Sequence, residues 1–320
     1  GRKKLQNITR YVTVALALIE GIAMTVGFGN QGLLENATWY NMAIVVVALT
    51  AGSAFLMWVG ERINQNGVGN GISIVLLINI VSRMPDDFVA LYTKFMSGKS
   101  VAMAVLAAVI IAAVILVTVV FVIILQDGER RIPVQYSKKL QGRKVIGGQS
   151  TNIPMKVHSA GVMPIIFAVT LLQFPGMIAS FWPQSGFALW WGRWMNSATI
   201  PYNIIFAILI VALGYFYNMV TFNPVEVSKN IQQYGGFIPG IRPGKPTSDY
   251  LAKISSRLTL FGGLFLALLA TLPGLIAGLV GTNIMALTAT GVLISVSVAL
   301  ETSKQLESQM LMRHYKGFLK

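Results

Sequence analysis

The feature that most constrains this chain is a series of uninterrupted apolar blocks, most of them about 20 residues long. A bilayer core is roughly 30 Å thick and an α-helix rises about 1.5 Å per residue, so one such block crosses it once. The blocks are Tyr11–Phe28, Met42–Gly60, Gly71–Val81, Val101–Leu125, Val157–Phe181, Tyr202–Phe222, Leu258–Val280 and Ile284–Leu300. Hydrophobic types make up 54% of the 320 residues and charged types 11%, under half the roughly 25% of a soluble domain. The sequence therefore reads as an all-α integral membrane protein, a multi-helix bundle. There is no cysteine and there are two histidines, so disulfides, thiolate chemistry and a multi-histidine metal site are not expected.

Seven blocks are long enough to cross unaided. Gly71–Val81 is not, since eleven residues cover only about 17 Å. Extension to Met84 lengthens it, and Phe88–Met96 continues it beyond Pro85. Charge decides whether it crosses, because Lys and Arg collect in cytoplasmic loops. With eight crossings, 21 of the 25 Lys and Arg share a side with the N-terminus, and the other four are Arg83, Lys94, Lys99 and Arg193. If the short block does not cross, the split falls to nine against sixteen. The more polarised split gives eight transmembrane helices with both termini cytoplasmic. Trp182, Trp190, Trp191 and Trp194 then lie outside, as an interfacial belt.

Two large loops, 126–156 and 223–257, fall on the cytoplasmic side. The first holds the alternating run Arg131 to Tyr136 and a second short run from Ile153 to Val157, the pattern of a small hairpin. The second holds Gly235-Gly236 and Pro239-Gly240-Ile241-Arg242-Pro243-Gly244, which read as a built turn more than a helix. Their 12 Lys and Arg exceed what orientation needs and mark a docking face for an acidic partner. Asn66 to Gly71 is glycine-rich, but lacks the G-x-G-x-x-G spacing of a dinucleotide loop. It reads as a tight connection in which glycines let two helices approach. Glu20 is the one ionisable residue well inside a block, and reads as a helix–helix hydrogen bonder. A coupled transporter needs several such groups at the midplane. No Ser/His/Asp set or paired carboxylates occur within the blocks, so the chain is not expected to be an enzyme.

Six separated stretches carry a family resemblance. They are Phe55 to Glu61 running into Gly67 to Ile74, Glu129 to Tyr136, Gln149 to Pro154, Ala160 to Ala168, Phe222-Asn223-Pro224, and Gly236 to Gly244. In this order they resemble bacterial SecY, the central subunit of the Sec protein-conducting channel, over nearly the whole chain. The family has ten transmembrane helices in two halves of five, and the eight blocks resemble its third to tenth. The resemblance implies that residues 1–100 are the remainder of the N-terminal half, with three helices. Residues 101–320 are then the C-terminal half, with five. The family's first helix, plug segment and second helix are expected to be missing.

The resemblance implies a pore that passes unfolded secretory polypeptides across the cytoplasmic membrane of a bacterium and releases membrane proteins sideways. Position by position, the aliphatic ring at its waist would be Ile72, Leu76, Ile166 and Ile294. Arg242, Arg143 and Lys144 would be docking contacts for the ribosome or the SecA motor ATPase. Other implied partners are SecE- and SecG-type small membrane subunits, signal peptides and the lipid bilayer. No cofactor, metal or catalytic residue is implied. The rival reading is an eight-span secondary transporter.

Overall fold

The computed structural model describes residues 2–30, 32–34, 38–98, 100–136, 139–141, 144–146, 150–157, 161–197, 199–280 and 284–317. Residues 2, 3, 5, 139–141, 144–146, 273, 274, 276–280, 284–290 and 312–317 are described by backbone alone. The elements in chain order are α1 (Arg2–Asn30), α2 (Trp39–Asn66), α3 (Gly71–Phe95), α4 (Val101–Asp127), β1 (Glu129–Tyr136), β2 (Lys139–Gln141), β3 (Lys144–Ile146) and β4 (Ser150–Lys156). They continue with α5 (Met163–Phe181), α6 (Gly186–Trp194), α7 (Ile200–Thr221), α8 (Pro224–Gln233), β5 (Gly236–Phe237), α9 (Lys245–Val280) and α10 (Ile284–Gly317).

Every apolar block lies on a helix, with two shifts of boundary. The short block is the first half of α3, which runs through Pro85 to Phe95. At 25 residues α3 is about 37 Å long, enough to traverse the bundle. Block Val157–Phe181 becomes helical only at Met163. Val157 instead extends the neighbouring hairpin, its N–H donating to the Gly128 carbonyl at 2.8 Å. Gly161 at φ +61° then turns the chain, and Pro164 opens the helix. Among the described residues six segments are long and apolar enough to cross a membrane: Gln6–Asn30, Trp39–Asn66, Val101–Asp127, Met163–Phe181, Ile200–Gln233 and Lys245–Leu272. α3 carries Arg83, Asp86 and Asp87, and the first turns of α10 are described by backbone alone.

A chain of close contacts relates the directions of α1, α2, α3, α4 and α10. Arg10 on α1 donates two hydrogen bonds to the Glu61 carboxylate on α2, at 2.8 and 2.6 Å. The end of α2 meets the start of α3 at bare backbone: a Cβ built on Gly71 would overlap the Gly60 carbonyl and lie 2.9 Å from the Gly60 Cα. Asn64 Oδ1 accepts from the Gly71 N–H at 2.7 Å, and Asn70 Oδ1 accepts from the Ile72 N–H at 3.1 Å, capping α3. α3 then runs antiparallel to α10. Gly69 faces Thr302 at one level, and Ile80 faces Gly291 eleven residues further along both helices. Lys304 of α10 pairs with Asp127 at the end of α4. These contacts gather Arg10, Glu61, Gly71, Asp127 and Lys304 at one end of the bundle.

The same end carries the two large loops. β1 pairs with β4 in the expected hairpin, from Glu129↔Lys156 to Gln135↔Ser150. Ile132 and Val134 point inward from β1 and leave Arg131, Pro133 and Gln135 exposed, as the alternation requires. The unforeseen element is β5, which adds to the other edge of β1 through Gln135↔Phe237 and Tyr136↔Gly236. One three-stranded sheet, ordered β4-β1-β5, thus joins the two loops, and the fold is helical with a small β-sheet. Residues 223–257, expected as a built turn, are mostly helical. Asn223 Oδ1 accepts from the Val225 and Glu226 N–H groups and Pro224 starts α8, while α9 begins at Lys245. The turn shrinks to the segment between them, with Gly240 and Gly244 at φ +82° and +100°.

Two apolar clusters hold the packing. One draws Val122, Leu125, Ile165, Leu172, Phe206, Ile210, Leu266, Leu293 and Val298 from α4, α5, α7, α9 and α10. The other fastens the sheet to α8 and α9 through Ile132, Val134, Met155, Ile231, Leu251 and Ile254. Between α7 and α9, Asn218 Nδ2 donates to Ser255 Oγ at 2.8 Å, and that hydroxyl donates back to Asn218 Oδ1 at 3.2 Å. Both partners of this buried pair are thereby satisfied.

Gly71→Ala forces a methyl group into the Gly60 carbonyl, so it should destabilise the protein by about 3 kcal/mol or more. Gly52→Ala, where a Cβ meets nothing within 4 Å, is the control. Thermal unfolding of the detergent-solubilised variants, followed by loss of the monodisperse peak, checks this. An unchanged melting temperature for Gly71→Ala contradicts the packing described.

Candidate functional site

Three helices bear the aliphatic residues assigned to a pore ring. Ile72 sits in the first turn of α3 and is 61% exposed. Leu76 follows one turn later, half-buried on the same face. Ile166 lies in the first turn of α5 and Ile294 on α10; both are half-buried and rest against the larger apolar cluster. Their neighbours Ile165 and Leu293 are fully buried. α5 and α10 thus each turn one aliphatic residue into the core and leave the next partly open. Ile166 and Ile294 share that cluster, whereas Ile72 and Leu76 stand outside it; Leu77 of α3 packs against it instead.

At the sheet end of these helices lies a polar cavity of about 610 Å³. Its wall includes Asn70, Lys156, Met163, Glu301, Lys304 and Gln305. Asn70 immediately precedes α3, and Met163 starts α5 three residues before Ile166. Glu301 is seven residues beyond Ile294, about 10 Å along α10. The aliphatic residues therefore sit about half a turn to two turns along their helices from the polar wall. Lys304 is held by its pair with Asp127, and Glu301 approaches Gly161, where an added Cβ would lie 3.7 Å from its Oε2. Glu301 lies just past the end of its apolar block; its place on a cavity wall, with Gln305 and Gln309 below it on the same helix, was not foreseen. The i, i+4, i+8 spacing of these polar residues was the available signal.

Arg242 is exposed on a turn whose backbone is tied down. Thr247 Oγ1 donates to the Arg242 carbonyl at 2.9 Å, Ser228 Oγ donates to the Gly244 carbonyl at 2.8 Å, and the Ile241 N–H donates to the Ile238 carbonyl at 3.0 Å. The Arg242 guanidinium is in none of the ion pairs among the described residues. Lys144 belongs to β3, which pairs with β2 in a two-stranded ribbon, and is described by backbone alone. Arg143 lies outside the described residues. Because β5 pairs with β1, the Arg242 turn and the β1–β4 hairpin form one continuous structure. Glu20, expected to bond another helix, is exposed on α1 with no hydrogen bond among the described residues. The small residues Ala17, Gly21 and Ala23 occupy the buried face of α1 and turn Glu20 away.

Residues 1–303 match the family model for SecY. Protein translocase subunit SecY of Halalkalibacterium halodurans is 41% identical over 326 residues, covering 100% of this chain and 76% of the relative. A solved protein-conducting channel superposes with a TM-score of 0.63 at 19% identity, over 97% of this chain and 74% of that one. Sec61 in the canine ribosome–channel complex from the endoplasmic reticulum superposes with a TM-score of 0.56 at 15% identity, over 97% and 74%.

Proposed function

This chain belongs to the SecY family, and from that premise we infer that it forms the protein-conducting channel that moves secretory polypeptides across the bacterial plasma membrane and inserts membrane proteins into it. One observation carries the mechanism: a polar cavity opens at the end of the bundle where the loops lie, and aliphatic residues follow within about two turns along the same helices. A polar vestibule keeps an unfolded chain hydrated as it enters. An aliphatic constriction sheds water and resists ions, yet flexible Ile and Leu side chains yield to a passing polypeptide. Ile72, Leu76, Ile166 and Ile294 form that constriction. The transporter alternative is not supported: the matched relative is a translocase subunit, and Glu20 is the single ionisable residue well inside an apolar block.

All eight long helices cross the bilayer, with the sheet, both large loops and both ends of this chain in the cytoplasm. Helix direction and the polarised Lys and Arg support this arrangement. Residues 1–100 act with the rest of an N-terminal half and 101–320 as a C-terminal half, an assignment supported by the apolar cluster shared by α4, α5, α7, α9 and α10. Arg242, with Arg143 and Lys144, receives a cytoplasmic partner: the ribosome, as for the related Sec61, or the SecA motor. A fixed backbone and an exposed planar guanidinium suit two-point binding of phosphate or carboxylate. SecE- and SecG-type subunits complete the complex, and signal peptides enter between its halves.

In proteoliposomes of the complete channel, Ile166→Asn with Ile294→Asn should raise resting ion conductance, since a polar waist stays wet. An unchanged leak would remove these residues from the constriction. Arg242→Glu should sharply lower translocation of a signal-bearing precursor without altering that leak. Full translocation in Arg242→Glu would place the docking contact elsewhere.

A further inference from the structure

The link between α5 and α7 has no part in the pore or the docking face. It contains α6, nine residues and about 13 Å long, too short to cross a bilayer. α5 ends at Phe181 and α7 begins at Ile200, so α6 is tied on both sides to membrane-spanning helices. It is held at the bundle end opposite the sheet, where α5 ends and α7 begins. Ser185 caps it, its Oγ accepting from the Ala188 N–H at 3.1 Å.

One indole docks α6 onto the bundle. Trp191 rests on α5 at Gly176, where a Cβ would come within 3.0 Å of Trp191 Nε1. Phe187 and Trp190 flank it, with ring centroids 5.9 and 6.3 Å away. The other large apolar groups of the link are open: Trp182 is 67% exposed, Leu189 61%, Trp190 49% and Trp194 48%. Facing water, such a cluster would be an aggregation liability. Facing the headgroup layer, each indole has an apolar body in the acyl boundary and an N–H among carbonyls and water. Arg193 stands between Trp190 and Trp194 in sequence, exposed, and in none of the ion pairs among the described residues. Residues 182–199 contain no Asp or Glu, so this surface is cationic and complements lipid phosphate.

We propose that α6 is an interfacial anchor that lies in the lipid headgroup layer at the end of the bundle opposite the sheet, with Trp182, Trp190 and Trp194 at the acyl boundary and Arg193 on the phosphate of an acidic phospholipid. This requires only that α5 and α7 cross the bilayer, and it stands apart from channel function. The occupant is lipid, because the segment cannot leave the membrane end and carries the residue types that partition there.

The test uses the full chain in vesicles, with Trp39→Phe and Trp58→Phe so that emission comes from the four tryptophans of the link. Phosphatidylcholine brominated next to the glycerol should quench more than the same lipid brominated near the chain end. Brominated phosphatidylglycerol should quench more than brominated phosphatidylcholine, and Arg193→Gln should abolish that preference. If the background variant misfolds, the loss of lipid quenching from the unsubstituted chain to Trp190→Phe/Trp194→Phe reads the same contact. Quenching by aqueous iodide but not by lipid bromine would overturn the anchor in favour of a water-facing loop. Quenching by neither would overturn it in favour of a protein cover. A phosphatidylglycerol preference that survives Arg193→Gln would overturn the phosphate contact.

Discussion

The backbone contact between Gly60 and Gly71 is the constraint on which the remaining arrangement depends. In lipid, helices gain little from hiding apolar side chains from one another, so close packing of small residues does much of the work. Here the approach is close enough that a Cβ on Gly71 would overlap the facing carbonyl. The contact reverses the chain sharply after α2 and sends α3 back through the bundle beside α10. α10 lies antiparallel beside α3, with Thr302 at Gly69 and Gly291 at Ile80. Had α3 lain along the surface, the two large loops would stand at the end opposite Arg10 and Glu61. Instead Arg10, Asp127 and Lys304 come to the same end.

The direction of α3 was legible in the sequence through charge, not hydropathy. Gly71–Val81 is too short to announce a crossing, but Lys and Arg divide more unevenly between the two sides if it crosses. The continuation of α3 through Pro85 was harder to see. Arg83, Asp86 and Asp87 interrupt the apolar pattern, and tertiary contacts to α2 and α10 carry the helix past them. The late start of α5 was hidden because Val157 is as apolar as the helix that follows, while its N–H serves the hairpin. The β1–β4 hairpin was readable from alternation. Its extension by β5 was not, because a two-residue strand has no period and its partner lies about a hundred residues away.

The candidate site shows a similar division. The four aliphatic residues could be chosen only through the family resemblance, since an Ile in such a sequence is ordinarily a core or lipid-facing residue. Burial adds detail, with Ile165 and Leu293 turned inward and Ile166 and Ile294 left half open. The polar wall of Glu301, Gln305 and Gln309 is a helix stripe that lies beyond the last apolar block. The Arg242 turn joins the β1–β4 hairpin through β5, and β4 is followed in the chain by α5, which bears Ile166.

The central claim is that a polypeptide passes the aliphatic residues at the base of the polar cavity. The most direct measurement places a photoreactive amino acid at Ile166, Ile294 or the exposed Leu116 of α4 in the complete channel, and irradiates it while a secretory precursor is stalled in transit. The account predicts adducts between the precursor and positions 166 and 294, and none from 116. Absence of adducts at 166 and 294, or equal yields at all three positions, would contradict it.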